Sequence, residues 1–171
     1  MIALRVSATL AALAGLAVLG AASSASAQDT PLFAVLNGSN EVSTTTGQAG
    51  AGDPDGSGAA AVSLVAADQL CFAILVNHLD PPMAAHIHRG AAGTNGPIVV
   101  PLIPDPVAPP PTGDPGFSAG CVPGVDPTLL ESIRGMPSEF YFNVHTGPFP
   151  NGAVRGQLFV PAIPTAPAPP P

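Results

Sequence analysis

From residue 31 onward the chain alternates between short apolar runs and stretches rich in glycine, proline and small polar residues. Runs of this length, with alternating apolar and polar positions and turn residues at both ends, are typical of β-strands. The strands are predicted at residues 31–36, 59–66, 70–77, 83–89, 97–102, 139–146 and 153–160. The second and third of these are close enough to form a hairpin through Ala67-Asp68-Gln69.

One short helix interrupts this pattern. Asp126 is a suitable N-cap, Pro127 is suited to the first helical position and Gly135 is a typical stop. The apolar residues at 129, 130 and 133 would form its buried face. Two segments are predicted as surface loops instead, residues 43–58 because they are rich in Thr, Gly and Asp, and residues 104–115 because their prolines exclude a helix interior or a central strand.

Composition supports an all-β protein. Charged residues make up only 9% of the chain, while 19 glycines and 23 prolines suit short strands joined by turns. The same composition suits a long helical bundle badly, so an all-β fold is the default.

The N-terminal segment resembles an export signal. Arg5 precedes an apolar run over residues 8–22, and Ala25-Ser26-Ala27 supplies the small residues that signal peptidase accepts. We expect residues 1–27 to be a signal peptide, residues 28–160 to form one domain and residues 161–171 to be a proline-rich disordered tail. The alternative for the first segment is an uncleaved anchor. After cleavage we expect no membrane span, because no later segment is long and apolar enough to form one. The protein would then be located in the periplasm, the cell envelope or the medium.

The charge balance excludes two classes of partner. The chain has 4 Lys and Arg residues in total, Arg5 among them, against 11 Asp and Glu residues. Nucleic acids and anionic membranes are bound through clustered cations, which this chain lacks.

Cys71 and Cys121 are the only cysteines. In an exported chain an even number of cysteines usually means a disulfide, which would close a loop of about 50 residues and stabilise the fold by about 4 kcal/mol. Two unpaired thiols are the alternative.

The histidines are the main candidates for chemistry. In a strand His86 and His88 point to one face, and on another strand His145 shares its face with Tyr141 and Asn143. If the two strands are close together, the three imidazoles would suit Zn²⁺ or Cu²⁺, with an open fourth position. The alternative is that each imidazole hydrogen-bonds the backbone of the irregular loop at residues 90–96.

Other polar residues give weaker indications. His78 is predicted to be exposed at the end of a strand, and Arg155 to form a local salt bridge or to bind an anionic ligand. The sequence contains no Gly-x-Ser-x-Gly motif and no phosphate-binding glycine loop between a strand and a helix. Hydrolase and kinase activities are therefore not indicated, and we assign no catalytic residues and no organic cofactor.

Taken together, the motifs resemble the CHRD domain, the module named for its repeats in chordin and found singly in secreted bacterial proteins. The resemblance rests on six segments in order along the chain: LNGSNEV at 36–42, DGSG at 55–58, AHIHRG at 85–90, NGP at 95–97, YFNVHT at 141–146 and GAVRGQL at 152–158.

The resemblance suits a β-sandwich. Together with the helix and the disulfide predicted above, we expect an all-β fold, an antiparallel Greek-key β-sandwich with one short helix and one disulfide. The family is also distantly similar to Cu/Zn superoxide dismutase, whose metal ligands include a His-x-His pair. Here only His86 and His88, with His145 as a third, match that pattern. We therefore expect a non-enzymatic extracytoplasmic binding or surface module for an extracellular protein or small ligand. A Zn²⁺- or Cu²⁺-binding protein, with dismutase-like redox activity as its extension, is the alternative.

Overall fold

The computed structural model describes residues 30–103 and 110–162. The predicted signal peptide, most of the predicted tail and the first half of the proline-rich loop lie outside these ranges. The described chain forms eight strands, one α-helix and two short 3₁₀ segments, Gly38–Asn40 and Pro137–Glu139. The strands are β1 (Leu32–Asn37), β2 (Ser57–Ala66), β3 (Gln69–Asn77), β4 (Pro82–Arg89), β5 (Ile98–Ile103), β6 (Gly116–Pro123), β7 (Phe140–Thr146) and β8 (Val154–Gln157).

All strand pairs are antiparallel, in the order β5-β4-β7-β8-β1-β2-β3-β6. The continuous sheet folds into two four-stranded halves that meet where β8 pairs with β1, at Asn37 and Arg155. The core lies between the halves, where Phe72 of β3 contacts Phe142 of β7 at 6.3 Å between ring centroids. The edge strands β5 and β6 lie near each other, so the spatial order β3-β6-β5-β4 is that of a Greek key. The predicted all-β sandwich is confirmed.

Strand β6 was not predicted, and its sequence explains why. Its inward positions are mostly small, with Gly116 and Ser118 buried, while the large Phe117 points outward and is 62% exposed. This reverses the usual pattern of an amphipathic strand. β6 is defined by its pairing with β3 instead, and it adds an edge strand where we had expected a connection.

The helix α1 (Pro127–Gly135) agrees with its prediction. The Asp126 carboxylate accepts a hydrogen bond from the Thr128 backbone N–H at 2.7 Å, and Leu130 and Ile133 are buried in the core. No helix in the described part of the chain is long or apolar enough to cross a membrane.

The predicted disulfide is also present. Cys71 of β3 and Cys121 of β6 are directly opposite each other in the sheet, with their Cα atoms 4.0 Å apart. Both side chains point to the outer face of their half, so the bond fastens the edge strand from outside the core. A disulfide of this kind suits an oxidising compartment.

Candidate functional site

The pairing of β4 with β7 brings the three predicted histidines together. In this register His86 is opposite Asn143, His88 is opposite Tyr141, and His145 is opposite Ala84. The alternate residues of both strands, Ala85, Ile87, Phe142 and Val144, are buried in the core. The imidazoles are therefore fixed on the outer face of β4 and β7 by the period of the two strands.

The imidazoles form a compact cluster, and each is partly buried. One ring nitrogen from each of His86, His88 and His145 lies within 4.8 Å of the others. The shortest separation joins His86 Nδ1 to His145 Nε2, at 3.0 Å. Nitrogens bound to one tetrahedral Zn²⁺ are about 3.3 Å apart, as follows from Zn–N bonds of about 2.0 Å. Small side-chain movements would therefore bring all three to one ion.

Two of the rings are oriented by backbone carbonyls. His88 Nδ1 donates to the Gly96 carbonyl at 2.8 Å, and His145 Nδ1 donates to the Pro150 carbonyl at 3.0 Å. Because a carbonyl only accepts, the hydrogen of each ring is on Nδ1 and the lone pair is on Nε2. This arrangement is typical of metal-binding histidines, whose second nitrogen is usually held by a carbonyl or a carboxylate.

His86 completes the cluster differently. Since His145 Nε2 carries a lone pair, the 3.0 Å contact is a hydrogen bond donated by His86 Nδ1. A metal ion bound at His145 Nε2 would displace the hydrogen atom that His86 Nδ1 donates to it. The His86 ring would then carry its hydrogen on Nε2 and offer Nδ1 as a ligand.

Two buried acceptors beside the cluster lack a hydrogen-bond donor, although their side chains are close enough for Asn143 to act on the pKa of His88 in the raising direction. They are His88 Nε2 and the side-chain oxygen of Asn143, on neighbouring strands. An unsatisfied buried polar atom costs about 1–3 kcal/mol, so two of them facing one site indicate a missing cation or donor. Asn143 Oδ1 is thus a candidate fourth ligand that the sequence did not indicate.

Electrostatics keep the cluster neutral at physiological pH. Burial, reinforced by the charges of His145 and His88, lowers the pKa of His86 to about 4. Burial is also the main cause that lowers the pKa values of His88 and His145. Neutral imidazoles are the form that binds metals, so no proton has to leave the site near pH 7.

The glycine-rich loop at residues 90–96, which contacts His88 through Gly96, is held by Arg155. Arg155 is 1% exposed. Its guanidinium lies 3.6 Å from the centre of the Tyr141 ring and donates to the Thr94 carbonyl and the Asn95 side-chain oxygen. The Tyr141 ring also stacks on His88, with centroids 4.7 Å apart. Among the described residues Arg155 donates to these two oxygens instead of forming the predicted salt bridge, although its charge also acts on Glu41, and it anchors the loop that carries Gly96. An anionic ligand for Arg155 stays a prediction.

Glu41 is a further buried charged residue near this region, and sequence reasoning gave it no role. It is 3% exposed, its Oε1 has no hydrogen-bond partner, and its carboxylate occupies the space that a Cβ on Gly152 would fill. Burial raises the pKa of Glu41 to about 7, although the Arg155 charge and the Val42 backbone N–H act in the opposite direction. The folded protein therefore favours the neutral acid.

Glu41→Gln tests this effect through the pH dependence of stability. Because the pKa of Glu41 is raised in the folded state, the neutral acid stabilises the fold. This contribution to the unfolding free energy is complete below the unfolded pKa of 4.5 and is lost as pH rises through about 7. Between pH 5 and 8 the wild-type protein should lose about 2 kcal/mol of unfolding free energy relative to the Gln variant. Urea unfolding at several pH values measures the difference. If the unfolding free energies of the two proteins change with pH in parallel, Glu41 does not have a raised pKa in the folded protein.

The structure thus unites His86, His88 and His145 and leaves His78 apart. His78 is exposed just after β3, in a left-handed backbone conformation with φ of 54°. The alternative in which the imidazoles bond the glycine-rich loop holds for one atom, His88 Nδ1. The same bond leaves His88 Nε2 available, so the two interpretations are compatible.

Comparison with curated proteins finds no match to this chain. The CHRD domain family, in contrast, matches residues 32–158, from the first residue of β1 to the residue after β8. The matched region contains every residue of the cluster and of the loop anchor. With most of its length matched, the chain belongs to the CHRD domain family.

Proposed function

We propose that this chain is an exported, non-enzymatic binding module that holds one Zn²⁺ or Cu²⁺ ion through His86, His88 and His145. The observation that carries the proposal is the combination of three converging imidazoles with two carbonyls that orient them. Asn143 would supply a further oxygen ligand. Imidazole ligands suit both ions, and the set is too rich in nitrogen for Ca²⁺ or Mg²⁺.

The export part of the proposal has separate support. The Cys71–Cys121 disulfide suits an oxidising compartment, and the first 27 residues have the pattern of a cleaved signal. An exported protein meets metal ions outside the cytoplasm, where a preformed neutral site can bind them without a folding step.

Metal loading tests the site directly. The untagged protein is stripped with a chelator, refilled with Zn²⁺ or Cu²⁺ and analysed for bound metal and for thermal stability. We expect about one ion per chain and, at a hundredfold excess over Kd, a stabilisation of about 2.7 kcal/mol. His86→Ala and His145→Ala should each reduce affinity at least tenfold.

His78→Asn is the matched control. It removes an imidazole outside the cluster, and Asn tolerates the left-handed backbone at this position. This variant should bind metal as the wild type does. Protein that stays metal-free after refilling, or loses metal equally in all three variants, would overturn the proposal.

A further inference from the structure

The outer face of the half formed by β1, β2, β3 and β6 is uncharged. All residues of these four strands are described, and none of them is Asp, Glu, Lys, Arg or His. Yet the chain as a whole carries a formal charge of −7. Several large apolar side chains are exposed here, with Val35 at 62%, Leu75 at 43% and Phe117 at 62%. A contiguous apolar surface of this kind usually marks an interaction site.

The register of the strands arranges this face as two parallel rows. The first row contains mostly large residues and runs Val35, Ala59, Leu75, Phe117. The second row contains mostly small residues and runs Phe33, Ala61, Ala73, Ala119. Because the rows are two residues apart along each strand, they are separated by about 7 Å. The face is thus a ridge beside a shallow trough.

We infer that this face binds a second copy of the chain in a two-fold symmetric dimer. A two-fold axis that is parallel to the rows and midway between them places the ridge of each copy over the trough of the other. Leu75 and Phe117 of one copy then lie over Ala73 and Ala119 of the second. Such reciprocal contacts are what an isologous interface requires, and the strands of the two faces remain aligned, as in packed sheets.

Charge favours the same occupant. Two chains with a net charge of −7 repel each other wherever their acidic residues meet, and the four strands of this face contribute no acidic residue. Polar residues border the two rows at one end, with Asn37, Ser57 and Asn77 in register, and Ser63 lies beside the disulfide at the other end. An apolar centre with a polar rim is the usual anatomy of a protein interface.

The size of the face sets the expected strength. Four strands 4.8 Å apart and about six residues long cover roughly 400 Å² in projection, so this face would make a small interface. We therefore expect a dimer with a Kd in the micromolar range. The interface does not include the three histidines, so the inference goes beyond the proposed metal site and is independent of it.

Sedimentation equilibrium of the full exported protein over a range of concentrations tests the inference, with and without metal. Phe117→Glu on the ridge and Ala73→Glu in the trough should each weaken association at least tenfold. Met83→Glu introduces the same charge at a residue that is 55% exposed on β4, in the other half, and should leave association unchanged. Urea unfolding of each variant establishes that the fold is retained.

Four results would overturn the inference. The wild-type protein could remain monomeric at millimolar concentration, or the dimer could tolerate both substitutions on this face. The third is a dimer that forms only after residues 163–171 are deleted, since that would make the proline-rich C-terminus the occupant of the face. The last is a dimer that needs metal and that Met83→Glu disrupts, because its interface would then lie on the half that contains β4.

Discussion

Arg155→Met is expected to destabilise the protein by about 3 kcal/mol and to weaken metal binding about tenfold. The substitution keeps the approximate volume of the side chain but removes the cation above Tyr141 and both hydrogen bonds to the loop. The Thr94 carbonyl and the Asn95 side-chain oxygen would then lose a charged donor, and hydrogen bonds to charged groups contribute about 1.5–3 kcal/mol each. Urea unfolding of the metal-free protein measures the loss of stability.

The effect on metal follows from the path between Arg155 and His88. Arg155 holds residues 94 and 95, and the next residue, Gly96, provides the carbonyl that fixes His88 Nδ1. Asn95 also donates to the Val42 carbonyl, so one side chain ties the loop to the segment after β1. Loss of the anchor should release the His88 ring from its orientation, and groups that orient a ligand typically change metal affinity 10- to 100-fold. Titration calorimetry with Zn²⁺ measures this change.

Arg134→Met is the matched control. Arg134 lies on the exposed side of α1 and pairs with Glu131 three residues away, with 40% and 69% of the two side chains exposed. Exposed pairs of this type contribute less than about 1 kcal/mol. Equal losses for Arg155→Met and Arg134→Met would show that Arg155 is not an anchor. If Arg155→Met destabilises the protein but leaves Zn²⁺ affinity unchanged, the loop that Arg155 holds does not contribute to metal binding.

The sequence predicted much of the fold because most strands alternate in the ordinary way. In β4 and β7 the apolar positions are fully buried, so the period of two also determined where His86, His88 and His145 would point. Strand β6 escaped prediction because its buried positions are glycine and serine and its largest side chain faces outward. Its place in the sheet depends on pairing with β3, and pairing between distant strands is not encoded in local periodicity.

Of the candidate site, only the three histidine ligands were predictable from the sequence. The imidazoles follow from strand geometry, but the carbonyls of Gly96 and Pro150 come from loops whose conformation no short motif specifies. Asn143 looked like one more polar residue on the outer face, and its missing hydrogen-bond partner became visible only in three dimensions. The roles of Arg155 and Glu41 depend on burial, which is unusual for charged residues and is not expected from composition.

Replacing both cysteines, in Cys71→Ala/Cys121→Ala, is expected to lower the unfolding free energy by about 4 kcal/mol. The disulfide closes a loop with a sequence separation of 50, which contains β4 and β5, and opening it increases the conformational freedom of the unfolded chain. Denaturant unfolding of oxidised wild type against the double variant measures the loss. Wild type kept reduced is the control for the side-chain change, and it should match the double variant.

The structural effect of the same variant should be confined to one edge of the sheet. Among the described residues β6 pairs along its length with β3 alone, apart from a single bridge between Phe117 and Thr112 of the preceding segment. Without the covalent link, amide hydrogens of β6 should exchange well before those of β3, which also pairs with β2. The His cluster lies on the other half and should still bind metal. Protection of β6 equal to that of β3, with less than about 1 kcal/mol lost, would show that packing alone holds the edge strand.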